Sequence, residues 1–229
     1  MSALEAWIAR LYRHPELLSM GHNQVADDLN LGLGWIYYGL VRLLQPSRVV
    51  VIGSWRGFVP LVLGRACQDN RRRGRVTFID PGLVDDFWHD AAAVTRWFAS
   101  FDVHEVEHHL ATTQQFVAGP GFTTLGEVGL LFIDGYHSAE QARFDFEAFA
   151  PTLAPRAQVL FHDSLVERRS RIYGEQRAYT VEVRRYLEEL ARDPRFALYS
   201  MPFGTGLTLL RKRGGQADEP LLEGTEARP

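Results

Sequence analysis

Apolar positions along the chain switch repeatedly between helical spacing and short unbroken β-branched runs. Leu4, Trp7, Ile8 and Leu11 recur at helical spacing, and Ser2 with Glu5 fits a capping box, so a helix is predicted over Ser2–Arg13. A second predicted helix runs from Asn23 to Leu44, with Pro46 ending it. Arg48–Gly53 is a β-branched run closed by glycine, which suits a strand buried on both faces. A helix over Gly57–Cys67 follows, with Pro60 in its first turn. The alternation then repeats. Strands are expected at Arg75–Asp80, Val106–Leu110, Val128–Asp134 and Ala157–His162. Helices are expected at Asp85–Phe101, Ser138–Leu153 and Thr180–Arg192.

The ending breaks the rhythm. Strands at Phe196–Met201 and Leu207–Arg211 are joined too closely for a parallel crossover, so they must form a hairpin. The expected fold is α/β: a doubly wound, mostly parallel seven-stranded sheet with a C-terminal antiparallel hairpin. Residues 1–46 read as N-terminal helices that pack on the core. Their aromatics Trp35, Tyr37 and Tyr38 fit either a pocket wall or plain core. Residues 47–213 read as one α/β domain, and the polar tail 214–229 as disordered.

Composition narrows the class. Of 229 residues, 46% are hydrophobic and 23% charged, which excludes a largely disordered chain. A net charge of −3 gives no global attraction to nucleic acid. The single cysteine, Cys67, excludes a disulfide framework and a Cys-based zinc site, and its apolar helical setting reads as core. The longest apolar stretch, Leu31–Leu44, is too short to span a bilayer, and the N-terminus lacks a signal-peptide layout. A cytoplasmic location without a membrane partner is expected. Lys212 is the only lysine, which disfavours a lysine base.

In a doubly wound sheet, ligands sit at the carboxyl ends of the strands where strand order reverses. That directs attention to Gly53, Asp80, Asp134 and Asp163. The segment Gly53-Ser54-Trp55-Arg56-Gly57 opens a helix after the first strand, where backbone can approach an anionic ligand or simply turn. The nicotinamide glycine fingerprint and the P-loop are both absent. Asp80 suits ribose hydroxyls, or the turn that Pro81-Gly82 suggests. FIDGYHS (132–138) and FHDS (161–164) end two neighbouring strands. Asp134 and Asp163 can jointly hold a hard cation such as Mg²⁺, with His137 as a base beside them. The alternative is a turn at Asp134-Gly135 and a cap at Asp163. Arg168, Arg169, Arg171 and Arg177 follow in a loop that suits a substrate lid or a solvated surface.

VVVIGSWRG, VTFIDP, LLFIDGYHSAEQARFDFEAFAPTLAP and VLFHDS together resemble class I S-adenosylmethionine-dependent methyltransferases. The branch is that of macrocin-type sugar O-methyltransferases and cephalosporin-hydroxylase-like proteins, over about Arg48–Arg211. The resemblance implies a Rossmann-like methyltransferase domain acting on a small-molecule hydroxyl. Gly53, Ser54 and Gly57 would hold the methionine part of the cofactor, Asp80 the ribose, and Thr112, Thr113 and Gln114 the adenine, with Asp134 nearby. Asp134, His162 and Asp163 would hold a divalent cation, and His137 would be the base. Val51 stands where the family often has glutamate, and His162 where the sugar enzymes have an acidic ligand, which shifts preference from Mg²⁺ toward Mn²⁺, Fe²⁺ or Zn²⁺. A non-catalytic cofactor-binding protein and a nucleotide-dependent enzyme remain alternatives, and a homo-oligomer is left open.

Overall fold

The computed structural model describes residues 2–18 and 21–213. The expected tail, 214–229, lies outside the described residues. Among the described residues seven strands form one sheet in the order β3-β2-β1-β4-β5-β9-β8. They are β1 (Arg48–Ile52), β2 (Arg75–Ile79), β3 (Val106–His109), β4 (Val128–Ile133), β5 (Leu153–His162), β8 (Phe196–Met201) and β9 (Leu207–Lys212). The first five run parallel, and β9 inserts antiparallel between β5 and β8. The expected hairpin is therefore present. Strand order reverses between β1 and β4.

Among the described residues eight α-helices accompany the sheet: α1 (Ala3–Leu11), α2 (Gly34–Leu44), α3 (Phe58–Gln68), α4 (Ala91–Ser100), α5 (Thr113–Val117), α6 (Pro120–Thr123), α7 (Ala139–Phe149) and α8 (Val183–Leu190). They cover both faces. Val49, Val51, Phe78, Leu130 and Phe132 point into one apolar layer with residues of α1 to α4. Val50, Ile52, Leu131, Ile133 and Phe161 point into the other with residues of α7 and α8. Strand alternation with burial on both sides explains why the β-branched runs lack polar positions. Val51 is fully buried in the first layer, where an unpaired glutamate would be costly. Cys67 is core as expected, and burial pushes its thiol up to about 12.

Four expected boundaries change. The helix from Asn23 starts only at Gly34. Asn23 (φ 56), Leu29 (φ 51) and Gly32 (φ 58) are left-handed, and Val25 pairs with Asn30 in a bridge. The helix over Asp85–Phe101 is broken at Asp90, whose side chain caps α4 by accepting from the Ala92 and Ala93 amides. The helix from Ser138 stops at Phe149, since Pro151 cannot continue the hydrogen-bond ladder, and Leu153 begins β5. The arginine-rich loop contains a separate hairpin of β6 (Arg168–Ser170) and β7 (Tyr179–Val181), so the last helix begins at Val183 rather than Thr180.

Of the N-terminal aromatics, Tyr37 is core, Tyr38 bonds Asp69 at 2.9 Å, and Trp35 is exposed. None of them lines the cleft described below. Among the described residues no helix is long and apolar enough to cross a membrane.

Candidate functional site

A cleft of about 840 Å³ opens over the carboxyl ends of β1 to β5, within the range of small-molecule sites. Its floor is a set of hydrogen bonds that carry the sheet one residue past its strands. Gly53 donates its N–H to the Ile79 carbonyl at 2.8 Å, and Asp134 donates to the Ile52 carbonyl at 2.8 Å. Gly53 has φ +73, and a Cβ there would lie 2.5 Å from the Asp134 carbonyl oxygen and the Gly135 Cα. The turn after β1 can thus lie against the turn after β4 only if residue 53 has no side chain. Gly57, at φ +84, is the N-cap of α3.

Asp80, at the tip of β2, accepts from the Gly82 amide at 2.8 Å and from the Ser54 amide at 3.2 Å. Burial nonetheless keeps its carboxyl above the usual value. Both oxygens retain lone pairs for a ligand hydroxyl. Thr112 and Thr113 follow β3 and line the same cleft. The Thr112 hydroxyl and amide are spent in a capping box with Gln115. Thr113 is buried and lies beside the Asp145 carboxylate of α7. Asp145 accepts from the Gln141 side chain at 2.7 Å through Oδ1, the Thr113 hydroxyl also hydrogen-bonds this carboxylate, and Oδ2 is buried with no further partner.

At the other end of the cleft five titratable groups meet. His162 Nδ1 lies 2.8 Å from Asp134 Oδ1 and 3.6 Å from Asp163 Oδ1. The first contact is an ion pair at hydrogen-bond distance, and the Gly21 carbonyl also faces the ring of this buried histidine. Burial opposes charge on His162, but Asp134 and Asp163 outweigh it and raise its pKa. His137 Nε2 lies 3.8 Å from both Asp134 Oδ1 and Asp163 Oδ2. Here burial wins over the carboxylates and lowers the pKa, so the imidazole is neutral near pH 7. Burial would raise Asp163, yet His137, His162 and Arg168 together hold its carboxyl below the usual range.

Strand alternation alone would turn one of His162 and Asp163 away from the cleft. Asp163 avoids this by leaving the strand in the left-handed region, at φ 52, and both side chains line the cleft. His22 was missed by sequence reasoning. It enters from the segment before α2, stacks on Phe58, meets the Tyr37 hydroxyl at 3.1 Å through Nδ1, and lies 3.9 Å from Asp134 through Nε2. Burial and the neighbouring His162 drive its pKa down to about 3. A lone histidine inside a polar stretch gives no period or motif, so only the tertiary contact reveals it.

The structure thus brings together Gly53, Ser54, Asp80, Thr112 and Thr113 toward one end, and Asp134, His137, His162 and Asp163 toward the other. Gly57 does not line the cleft; a Cβ there would meet the Trp88 ring at 3.0 Å, so its lack of a side chain serves packing under the turn. The unpartnered Asp145 oxygen, the open Asp80 carboxylate and the close turns at Gly53 fit a nucleoside-bearing cofactor. A divalent cation fits less well. Asp163 Oδ2 is bonded to the Arg168 guanidinium at 2.9 Å, and Asp134 Oδ1 is turned to His162. Among the described residues no group of three or more His, Cys, Asp or Glu side chains is placed to hold a metal ion. As they stand, Asp134, His162 and Asp163 do not fit the expected cation.

Residues 50–164 match a family model described as a methyltransferase domain. The uncharacterized protein y4gI of Sinorhizobium fredii is 29% identical over 153 residues, covering 58% of this chain. The match spans about 15% of that relative's length. Among solved structures, the O-methyltransferase TomG of Streptomyces achromogenes, in complex with SAM, aligns with TM-score 0.61 and 21% identity over 93% of this chain and 91% of that one. The methyltransferase PaMTH1 of Podospora anserina, bound to SAH, aligns with TM-score 0.60 and 17% identity over 93% and 89%. An O-methyltransferase of Bacillus cereus in complex with SAH gives 0.60 and 14% over 93% and 92%. At these identities the structures share the fold.

Proposed function

This chain belongs to the methyltransferase-domain family, and on that premise we propose that it transfers a methyl group from S-adenosylmethionine to a hydroxyl oxygen of a small molecule. When bound, the cofactor supplies an electrophilic methyl group and a neutral thioether leaving group. The protein's part is position and deprotonation. Asp80, held by the Ser54 and Gly82 amides, accepts the ribose hydroxyls. The turn at Gly53 and Ser54 faces the methionine portion. Thr113 and Asp145 lie toward the base.

The observation that carries the reading is His137. Its Nε2 is equidistant from two carboxylates at the strand tips, and burial keeps it neutral. A neutral imidazole there accepts the hydroxyl proton at Nε2 as the oxygen attacks, and Asp134 and Asp163 stabilise the resulting imidazolium. Arg168 pairs with Asp163 and fixes that carboxylate. Arg169, on the same strand, lines the cleft and has no carboxylate partner among the described residues. That positive charge favours an acceptor bearing an anionic group.

The donors as placed lead us to route no step through a metal ion. Calorimetric titration of the full chain with S-adenosylhomocysteine tests the cofactor reading. Binding is expected, and no heat at millimolar ligand would overturn it. Mass-spectrometric detection of methylated products from a panel of hydroxylated anions, with labelled cofactor, then tests transfer.

A further inference from the structure

Asp134 and Asp163 reach one cleft from neighbouring strand tips, and each is already engaged by a nitrogen of this chain. Asp163 Oδ2 accepts from Arg168 Nη2 at 2.9 Å, and Asp134 Oδ1 lies 2.8 Å from His162 Nδ1. A divalent cation needs those same carboxylate oxygens. It would also sit against a guanidinium that cannot lose its charge. The third polar side chain at this point, His162, brings no negative charge to offset that repulsion.

Backbone register sets where Arg168 stands. It pairs with Val181 in the hairpin of β6 and β7. The next residue, Glu182, donates its amide to the His137 carbonyl at 2.9 Å. Tyr179, on the same strand, stacks on Tyr136. One hydrogen-bonded unit thus carries both the guanidinium and the residue read as the base. An ion pair on a free, exposed loop is worth little. Here the hairpin holds the arginine, and its partner carboxylate is only 5% exposed. Arginine has five N–H donors. Asp163 is the only hydrogen-bond partner of Arg168 among the described residues, and the half-exposed side chain lines the cleft. Its other donors are left for an acceptor oxygen.

We infer that Arg168 is a tethered cation that takes the place of a divalent ion in this site: it holds Asp163 and presents its remaining N–H groups to the acceptor oxygen. What the charge acts on rests on the methyl-transfer reading above. As the hydroxyl oxygen attacks the cofactor's methyl carbon, its proton passes to His137 Nε2 and the carbon–sulfur bond breaks toward sulfur. The guanidinium offsets the negative charge that develops on the oxygen and is itself unchanged.

The placement is tested without turnover, by Mn²⁺ binding to the full chain followed by electron paramagnetic resonance. The wild-type chain should leave Mn²⁺ free at millimolar concentration. A double variant, His162→Asp with Arg168→Gln, adds a carboxylate and removes the guanidinium. It should bind one Mn²⁺ at least about tenfold more tightly than wild type. Melting curves check that it folds, and Arg168→Gln alone serves as the second variant. Tight stoichiometric binding by the wild type overturns the inference, and so does a folded double variant that gains no affinity. Turnover in excess chelator, on an acceptor found by product screening, tests the charge itself. Arg168→Gln can still bond Asp163 but is neutral, and it should lower kcat by about ten- to a thousandfold. Wild-type kcat in that variant overturns the role in transfer. Calorimetry with S-adenosylhomocysteine runs in parallel. No cofactor binding overturns the methyl-transfer reading and the role in transfer with it, while the Mn²⁺ result still decides whether Arg168 fills the cation's place.

Discussion

At the scale of single residues, the site is a set of polar side chains whose states are decided by burial against charge. Asp80→Ala removes the acceptor of two backbone amides and the proposed ribose partner. Titration should show S-adenosylhomocysteine binding weakened by about 1–3 kcal/mol. His137→Ala should lower kcat by about 10²–10⁴-fold on an acceptor found by product screening, with cofactor affinity nearly unchanged. A variant with wild-type turnover would move the base elsewhere, first to His162. The pH profile adds a second readout. His137 is faced by Asp134, Asp163, His162 and Arg168, and its pKa is lowered from 6.5. It must be neutral to act, so the acid limb of kcat/KM should fall at a pH below 6.5, and the variant should lose that limb.

His22 makes a stability prediction. Its folded pKa of about 3 lies below the unfolded value of 6.5. Between those values the unfolded chain binds a proton that the folded chain refuses, so stability falls as pH drops through 6.5, by at most about 1.4 kcal/mol per pH unit. Melting curves should show a shallower acid loss for His22→Gln than for wild type. Parallel curves would mean that His22 is open to solvent protons in the folded state.

At the scale of elements, the turns after the strands govern the site more than the strands do. Gly53→Ala should displace the β4 turn, because φ +73 and the 2.5 Å approach to Asp134 and Gly135 leave no room. A fall in melting temperature with loss of cofactor binding is expected, and unchanged binding would mean that this turn is not part of the site. Asp163 is the complementary case. A non-glycine residue at φ 52 costs on the order of 1–3 kcal/mol, and here it turns two consecutive side chains toward one cleft. β1, β2, β4 and the second half of β5 were legible in the sequence because apolar runs buried on both faces carry no competing period. The helix expected from Asn23 was not. Its apolar spacing suited a helix, but left-handed residues and a local bridge that hold Gly32 against the His22 carbonyl prevail there. The hairpin of β6 and β7 was also invisible, since arginines and tyrosines at three-residue length give no alternation to read. Stacking of Tyr136 on Tyr179, with ring centroids 3.9 Å apart, ties that hairpin to the β4 turn.

At the scale of the whole molecule, the reversal of strand order between β1 and β4 opens the cleft, and the candidate site residues are arranged around it. Because Arg168 and His162 already engage the carboxylates, an excess of chelator should leave turnover intact. Loss of activity restored by Mg²⁺ or Mn²⁺ would show that Arg168 gives way to a cation on binding. The sequence by itself determined the alternation of strands and helices, the closing antiparallel pair, and the polar residues at the strand ends. These follow from local period and from which backbone positions must be buried, and both are properties of neighbours in the chain. Tertiary structure alone decided that His162 and Asp163 share a cleft, that His22 joins them from a segment 140 residues away, and that Asp145 keeps a buried oxygen open. Those facts depend on φ at one residue, on packing between distant segments, and on counting donors in a closed space, none of which leaves a pattern along the chain.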